Sequence, residues 1–411
     1  MILDYLWEWS MFAVRWLHIV TAIAWIGSSF YFIALDLGLK KAKTAPAGVL
    51  GEEWQVHGGG FYHIQKYGVA PEHMPDDLVW FKWEAYTTWL SGFALLALMY
   101  YAGAHLYLID PTVMPLATWQ AVVISLTVLS AGWVVYDQLC KRLIGLGDTA
   151  VFVVLFVFLS VVGFILTHVF SGRGAFIHVG AMTATMMAAN VAMVIIPNQR
   201  VVVADLIAGR KPDPKYGKIA KQRSLHNNYL TLPVIFFFLA NHYPLATSTR
   251  WSWVIIALVL VMGAVIRHFF NTKHAHHRNL VWTWVVTAAL FLVIVGLSTY
   301  PLVRQMPEQE AAGVRFDPTT PAMRTLVAAE SFPDAQNVIL SRCSMCHARQ
   351  PIWEGMVHPP LGVVLETEYD IAKEASRIAR QAVLSHAMPP GNVTGMTDEE
   401  RAALGRWLRD G

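Results

Sequence analysis

The stretch Ser341–Gln350 reads SRCSMCHARQ: two cysteines with two residues between them, and a histidine directly behind the second. Three chemistries use such a pattern. A zinc site needs a second pair of ligands at finger-like spacing, and the one other cysteine of the chain, Cys140, lies far away at the end of an apolar segment. A thioredoxin-like dithiol needs a βαβ context, whereas the surrounding residues read as helical. The third chemistry is attachment of a c-type haem, in which both thiols add to the haem vinyl groups and the histidine becomes an iron ligand. That reading assigns Cys343, Cys346 and His347 to a haem c. It also asks for a second axial ligand, commonly a methionine thioether. Met388 in AMPPGN, between residues that stiffen its loop, is the first candidate, and Met356 and Met396 compete with it. His347 and Met388 are thus the expected iron ligands. The segment MTDEERAALGRWL then opens a terminal helix with Thr397 and Glu400 as a capping box.

The rest of the chain must position that group. Of 411 residues, 55% are hydrophobic and 14% charged, which is the composition of a membrane protein. Trp pairs such as Trp80/Trp83 and Trp282/Trp284 flank apolar runs, as indole rings do at headgroups. The N-terminus has neither a basic n-region nor a small-residue cleavage site, so the first helix is expected to insert and stay. Eight segments of about 20 residues are long enough to span: about 11–35, 86–104, 117–139, 149–169, 175–197, 227–245, 251–271 and 280–303. Lys40, Lys41, Lys43, Lys66 and Lys82 fall in the first connection, Lys141 and Arg142 in the third, and seven further cations from Arg200 to Arg223 in the fifth. Lys273 and Arg278 fall in the seventh, while the alternate connections hold only Arg173 and Arg250. The positive-inside rule then puts the Lys- and Arg-rich connections in the cytoplasm and both termini outside. After Tyr300 a Pro- and charge-rich stretch reads as a linker. The expected fold is all-α: an eight-helix transmembrane bundle over 1–303, a linker over 304–330, and a small class I cytochrome c domain over 331–411.

A tethered cytochrome is an electron outlet, so a substrate must be oxidised upstream. The first Lys-rich connection carries WQVHGGGFYHIQKY and WFKWEAYTTWLSGF, with His57, His63, Lys66, Lys82 and Glu84 around three glycines. Such glycines let a backbone approach a ligand, or simply make a turn. These motifs, with RWLHIVTAIAWIGSSFYF, LHNNYLTLP and FFNTKHAHHRN, closely resemble the bacterial membrane-bound, cytochrome-c-linked urate oxidases (urate hydroxylases), and the resemblance covers essentially the whole chain. It implies oxidation of urate to 5-hydroxyisourate in purine breakdown, with electrons passing to the haem c and a respiratory-chain acceptor, and no hydrogen peroxide formed. The chemistry needs a base, donors for delocalised charge and a positioned water. His57, His63 or Glu84 would be the base, Lys66 and Lys82 would hold the anion, and Phe61 or Trp83 would stack on the ring. Membrane lipid is the remaining partner, and no nucleic acid is expected.

If urate binds at that connection, electrons must cross the bilayer to reach the haem c. Buried imidazoles on facing helices could hold a b-type haem as relay, and His18, His168, His178 and His242 fall in or near the outer leaflet, His226 and His268 near the inner one. Hydrogen-bonded structural histidines are the alternative. His274, His276 and His277 are spaced poorly for one tetrahedral metal and read as an interfacial loop. A quinol-linked oxidoreductase would share the haem c and the membrane histidines but not the HGGGFYH loop.

Overall fold

The computed structural model describes residues 2–303 and 322–411, apart from 42, 43, 45, 72, 76, 112, 248, 277, 354, 355, 357 and 358. The membrane part is built from α1 (Ile2–Gly38), a hairpin of β1 (Val49–His57) and β2 (Gly60–Tyr67), α2 (Trp83–Leu96), α3 (Thr118–Leu143) and α4 (Asp148–Thr167). Helix α5 (Gly172–Ala189) runs through a π turn at Asn190–Ile195 into Ile196–Ile207, and is followed by α6 (Pro214–Leu239), α7 (Ser252–His276) and α8 (Val281–Val303). Among the described residues six helices are long and apolar enough to cross a membrane: Trp9–Gly38, Thr118–Leu143, Asp148–Thr167, Gly172–Ile207, Ser252–His276 and Val281–Thr299. The other two expected spans are helical as well. However, α2 has 14 residues before its own π turn at Ala97–Tyr101, and the first half of α6 is polar. The bundle is therefore a multi-span, all-α assembly with six helices of spanning character.

Its helices pack closely because small residues stand where they cross. A Cβ at Gly263 of α7 would collide with the ring of Pro233 in α6, and one at Gly132 of α3 would collide with Met182 of α5. Lipid tails give helices no hydrophobic reason to associate, so close backbone approach supplies the attraction. The core between them is aromatic and aliphatic, with Phe176, Phe237, Leu159 and Ile255 all fully buried.

The first connection departs from the expected irregular loop, for it folds as an antiparallel hairpin. Gly58 and Gly59 have φ of +57° and +80°, the left-handed pair that a tight hairpin turn requires. The three glycines are thus a turn.

The C-terminal part comprises α9 (Ala322–Ala328), α10 (Phe332–Arg342), the one-turn α11 (Ser344–His347), α12 (Glu368–Lys373) and α13 (Asp398–Asp410). It has a core of its own: Leu326, Phe332, Ile339, Ile371, Leu404 and Trp407 are buried together. Residues 304–321 of the expected linker lie outside the described residues. Its end is not linker, because α9 is helical and inserts Leu326 into that core, where the Trp407 indole N–H donates to the Leu326 carbonyl at 2.9 Å. One Pro-rich, charged stretch hid a short amphipathic turn.

The C-terminal part meets the bundle at the end where the Lys- and Arg-poor connections gather. There the Ser171 N–H donates to the Leu108 carbonyl at 2.9 Å, joining two of those connections. Arg173 donates to the Ala387 carbonyl at 3.4 Å, and the His105 and Trp353 rings lie 6.5 Å apart.

Candidate functional site

Residues expected to do the chemistry fall in four places. The first is the hairpin. Strand alternation puts Trp54 and His63 opposite one another on one face, and the rings stack at 4.1 Å, while the His63 Nε2 meets the Glu52 carboxylate at 2.7 Å. His57 pairs with Gly60 on the other face, beside the turn, and is exposed. Lys66 shares that second face and ion-pairs with Asp36 at the end of α1. Lys82 lies 5.5 Å over the Trp83 ring, and Glu84 sits in the first turn of α2. The structure therefore divides the expected catalytic residues between two faces of a ribbon and a helix start. The His63 face is open, with Trp54, Val56 and Phe61 all highly exposed.

The second place is the Cys-x-x-Cys-His turn. Cys343 and Cys346 are not joined to each other, and burial pushes the Cys343 thiol up to about 12 and raises that of Cys346 as well. Both are thus protonated thiols at neutral pH. The His347 Nδ1–H donates to the Val363 carbonyl at 3.0 Å, which leaves Nε2 as the nitrogen carrying a lone pair. Burial also holds this imidazole below its usual range, outweighing that hydrogen bond. A neutral histidine oriented through its far nitrogen is what a metal ligand needs. Met388 is half-buried against the C-terminal core, and its backbone is tied at both ends: its N–H donates to the Gln381 carbonyl at 2.8 Å, and Arg401 donates to its own carbonyl at 2.9 Å. The thiols, the oriented imidazole and the thioether are the donor types a covalent haem would use. Of the competitors, Met396 is fully packed into the core.

Third are the membrane histidines. His178 of α5 is completely buried and spends both nitrogens on protein, Nδ1 on the Gly174 carbonyl at 2.7 Å and Nε2 on the Ser125 hydroxyl at 2.6 Å. His18 of α1 contacts the Thr88 carbonyl at 3.0 Å and the Ser91 hydroxyl at 3.2 Å. His168 and His242 stand exposed at helix ends. Among the described residues no hydrogen bond or ring contact joins any two of these four, and no group of three or more His, Cys, Asp or Glu side chains is arranged to hold a metal ion. His268 contacts the Tyr229 hydroxyl at 3.4 Å, and His277 lies outside the described residues.

The fourth place gathers His226, an expected intramembrane histidine, with residues that the sequence did not join to it. At the Lys-rich end, Arg223 of α6 is 2% exposed and ion-pairs with Asp137 of α3 at 2.8 Å, also donating to the Asn190 amide oxygen at 3.2 Å. The Asn190 amide donates to the Tyr136 hydroxyl at 2.9 Å, which in turn contacts His226 Nδ1 at 2.9 Å. The Nε2 of His226, fully buried, has no hydrogen-bond partner, and neither has Arg223 Nε. Polar residues on an apolar helix at helical spacing, Arg223, His226, Asn227 and Thr231, were the available signal.

Opposite this cluster, a cavity of about 380 Å³ opens between the two parts of the chain, lined from the bundle by His168, Arg173, Arg250 and Trp253 and from the C-terminal part by His386, Ala387 and Gly391.

The urate oxidase N-terminal family model matches residues 4–298, which is most of the chain and nearly all of the membrane part. The chain belongs to the urate oxidase N-terminal family. No curated protein and no solved structure matches it. Membership in the urate oxidase family brings urate-oxidase-type chemistry to a multi-pass membrane protein. The matched span takes in the hairpin, all six apolar helices and the buried Arg223 cluster, and it stops short of the Cys-x-x-Cys-His turn.

Proposed function

We propose that this protein oxidises urate to 5-hydroxyisourate and delivers the electrons to a haem c held by Cys343, Cys346, His347 and Met388. The observation that carries this reading is the pairing, in one chain, of a urate-oxidase-family membrane part with a Cys-x-x-Cys-His domain docked on it. Urate and water give 5-hydroxyisourate, two protons and two electrons. Haem iron supplies one-electron redox chemistry when bound, and an external respiratory electron acceptor takes the electrons onward in single steps. Oxygen is no reactant in that balance, so hydrogen peroxide is not a product.

What the chain's residues contribute follows from their chemistry. His347 presents Nε2 because Val363 holds its other nitrogen. The thiols of Cys343 and Cys346 stand on one turn, as a two-point attachment requires. Protons leave urate through a neighbouring base, and cationic donors hold the anion as charge builds. The hairpin residues His57, His63, Lys66, Lys82 and Glu84 are one supply of such groups, and the cavity at the opposite end is another. We read α2 and α6 as the second and sixth of eight spans, with both termini on the periplasmic side of a bacterial inner membrane. No step in this scheme passes through the membrane histidines.

The test is a reduced-minus-oxidised spectrum of the anaerobic full-length protein before and after urate. Urate alone is expected to produce the c-type band. A haem reduced by dithionite and by quinol but not by urate would overturn the reading and leave a quinol-linked oxidoreductase. A b-type band beside the c-type band would restore the relay through His18 and its neighbours.

A further inference from the structure

We propose that the cavity between the bundle and the Met388 segment is where the purine anion binds, an inference that rests on the urate reading above. Its size, about 380 Å³, lies in the range of small-molecule sites, roughly 300–1,000 Å³. Two arginines line it, Arg173 from the start of α5 and Arg250 from the connection before α7. Guanidinium groups are the side chains best matched to a planar delocalised anion, since their donors form a flat fork. Arg173 uses one donor on the Ala387 carbonyl and has others to offer.

The remaining walls suit a purine. His168 donates from Nδ1 to the Phe164 carbonyl at 2.8 Å, so its Nε2 is an acceptor for a ring N–H or a departing proton. Trp253, fixed edge-on by Phe164 at 5.4 Å, brings an aromatic face. Asp110 lines the cavity as well. The bundle supplies these groups and the C-terminal part closes the other side with His386 and Gly391, two and three residues from Met388 in sequence. A substrate held there is oxidised beside the proposed haem ligand rather than across the bilayer from it. The hairpin lacks these features, because its candidate residues point to opposite faces and one face is open.

The experiment is equilibrium dialysis of radiolabelled urate against the full-length protein, reduced with dithionite and kept anaerobic so that no turnover occurs. Haem content is matched between samples by absorbance. Wild type is expected to bind saturably, and Arg250→Gln and Arg173→Gln each to weaken binding tenfold or more. Arg250 is exposed in the connection before α7, so its variant should fold even if Arg173→Gln does not. His168→Gln is expected to slow urate-dependent haem reduction more than it weakens binding. Normal binding by both arginine variants overturns the proposal. Weakened binding by Lys66→Ala or His63→Ala with normal Arg250→Gln moves the site to the hairpin and leaves the urate reading standing. A wild type that neither binds urate nor is reduced by it removes the urate reading itself.

Discussion

Arg223 and Asp137 show how much depends on single side chains inside this bundle. Arg223 is buried, so removing Asp137 strands a charge where water cannot reach it, at a cost of about 3–5 kcal/mol, whereas Asp137 keeps a second partner in Lys141 at 2.7 Å. Asp137→Ala should lower the thermal midpoint of the detergent-solubilised protein markedly. The double variant Asp137→Asn/Arg223→Met should recover much of the loss, and a midpoint as low as that of the single variant would count against the pairing. At the other end of the molecule, Cys346→Ser should leave the haem attached by one thioether and His347→Ala should abolish its low-spin spectrum. Haem staining after denaturing electrophoresis and the visible spectrum check these two in turn. The proposed haem attachment could be read from sequence because covalent attachment would fix Cys343, Cys346 and His347 within a few residues. Arg173 and Arg250 were legible only as the two cations of the sparse connections, since a guanidinium gains its meaning from what tertiary structure brings near it. His226 was noticed as an intramembrane histidine, but nothing local revealed that Tyr136 and Asn190 converge on it.

Helices and strands carry the next level of consequence. Gly263 lies against the Pro233 ring, which cannot rotate away, so Gly263→Ala should overpack the α6–α7 crossing and cost about 1–3 kcal/mol, seen as lost yield and a lower midpoint. In the C-terminal part, Thr397 Oγ1 accepts from the Glu400 N–H at 3.2 Å while the Glu400 carboxylate accepts from the Thr397 N–H at 2.8 Å, and Glu400 also pairs with Arg342 of α10 at 2.9 Å. Thr397→Ala should destabilise that part by about 1 kcal/mol. Burial acts to raise the Glu400 carboxyl, but Arg342 and the helix N-terminus outweigh it and hold its pKa below the usual carboxylate range. A depressed carboxylate contributes its stability above the unfolded value and loses it as pH falls through the folded one. The near-ultraviolet circular dichroism of the Trp407 core should therefore weaken on acidification below that usual range, and less so in Glu400→Gln. Apolar length marked eight segments, and six of them are helices of spanning character among the described residues. The second and sixth differ, because the N-terminal half of α6 is rich in polar groups and α2 is cut short by a π turn. The hairpin had its own signal, alternating residues on both sides of Gly58 and Gly59, but a polar loop between two spans has the same composition.

At the scale of the whole molecule, the Lys-rich end, the buried Arg223 cluster and the hairpin lie together, and the C-terminal part docks at the opposite end. Right-side-out vesicles should accordingly show urate-dependent cytochrome reduction without any purine carrier, and an intact urate assay should yield no hydrogen peroxide by peroxidase-coupled detection. Activity that appears only after permeabilisation would place the substrate at the hairpin end. The docking has a tight joint: Gly391, with φ of +55°, lies so close to the Ile109 carbonyl oxygen that any side chain there would collide with it. Two parts joined in this way do not search for one another through solution. On the proposed reading, the electron's hop from bound purine to the C-terminal part is a unimolecular event, with a rate constant indifferent to dilution of the enzyme and to the ionic strength that governs encounters between separate carriers.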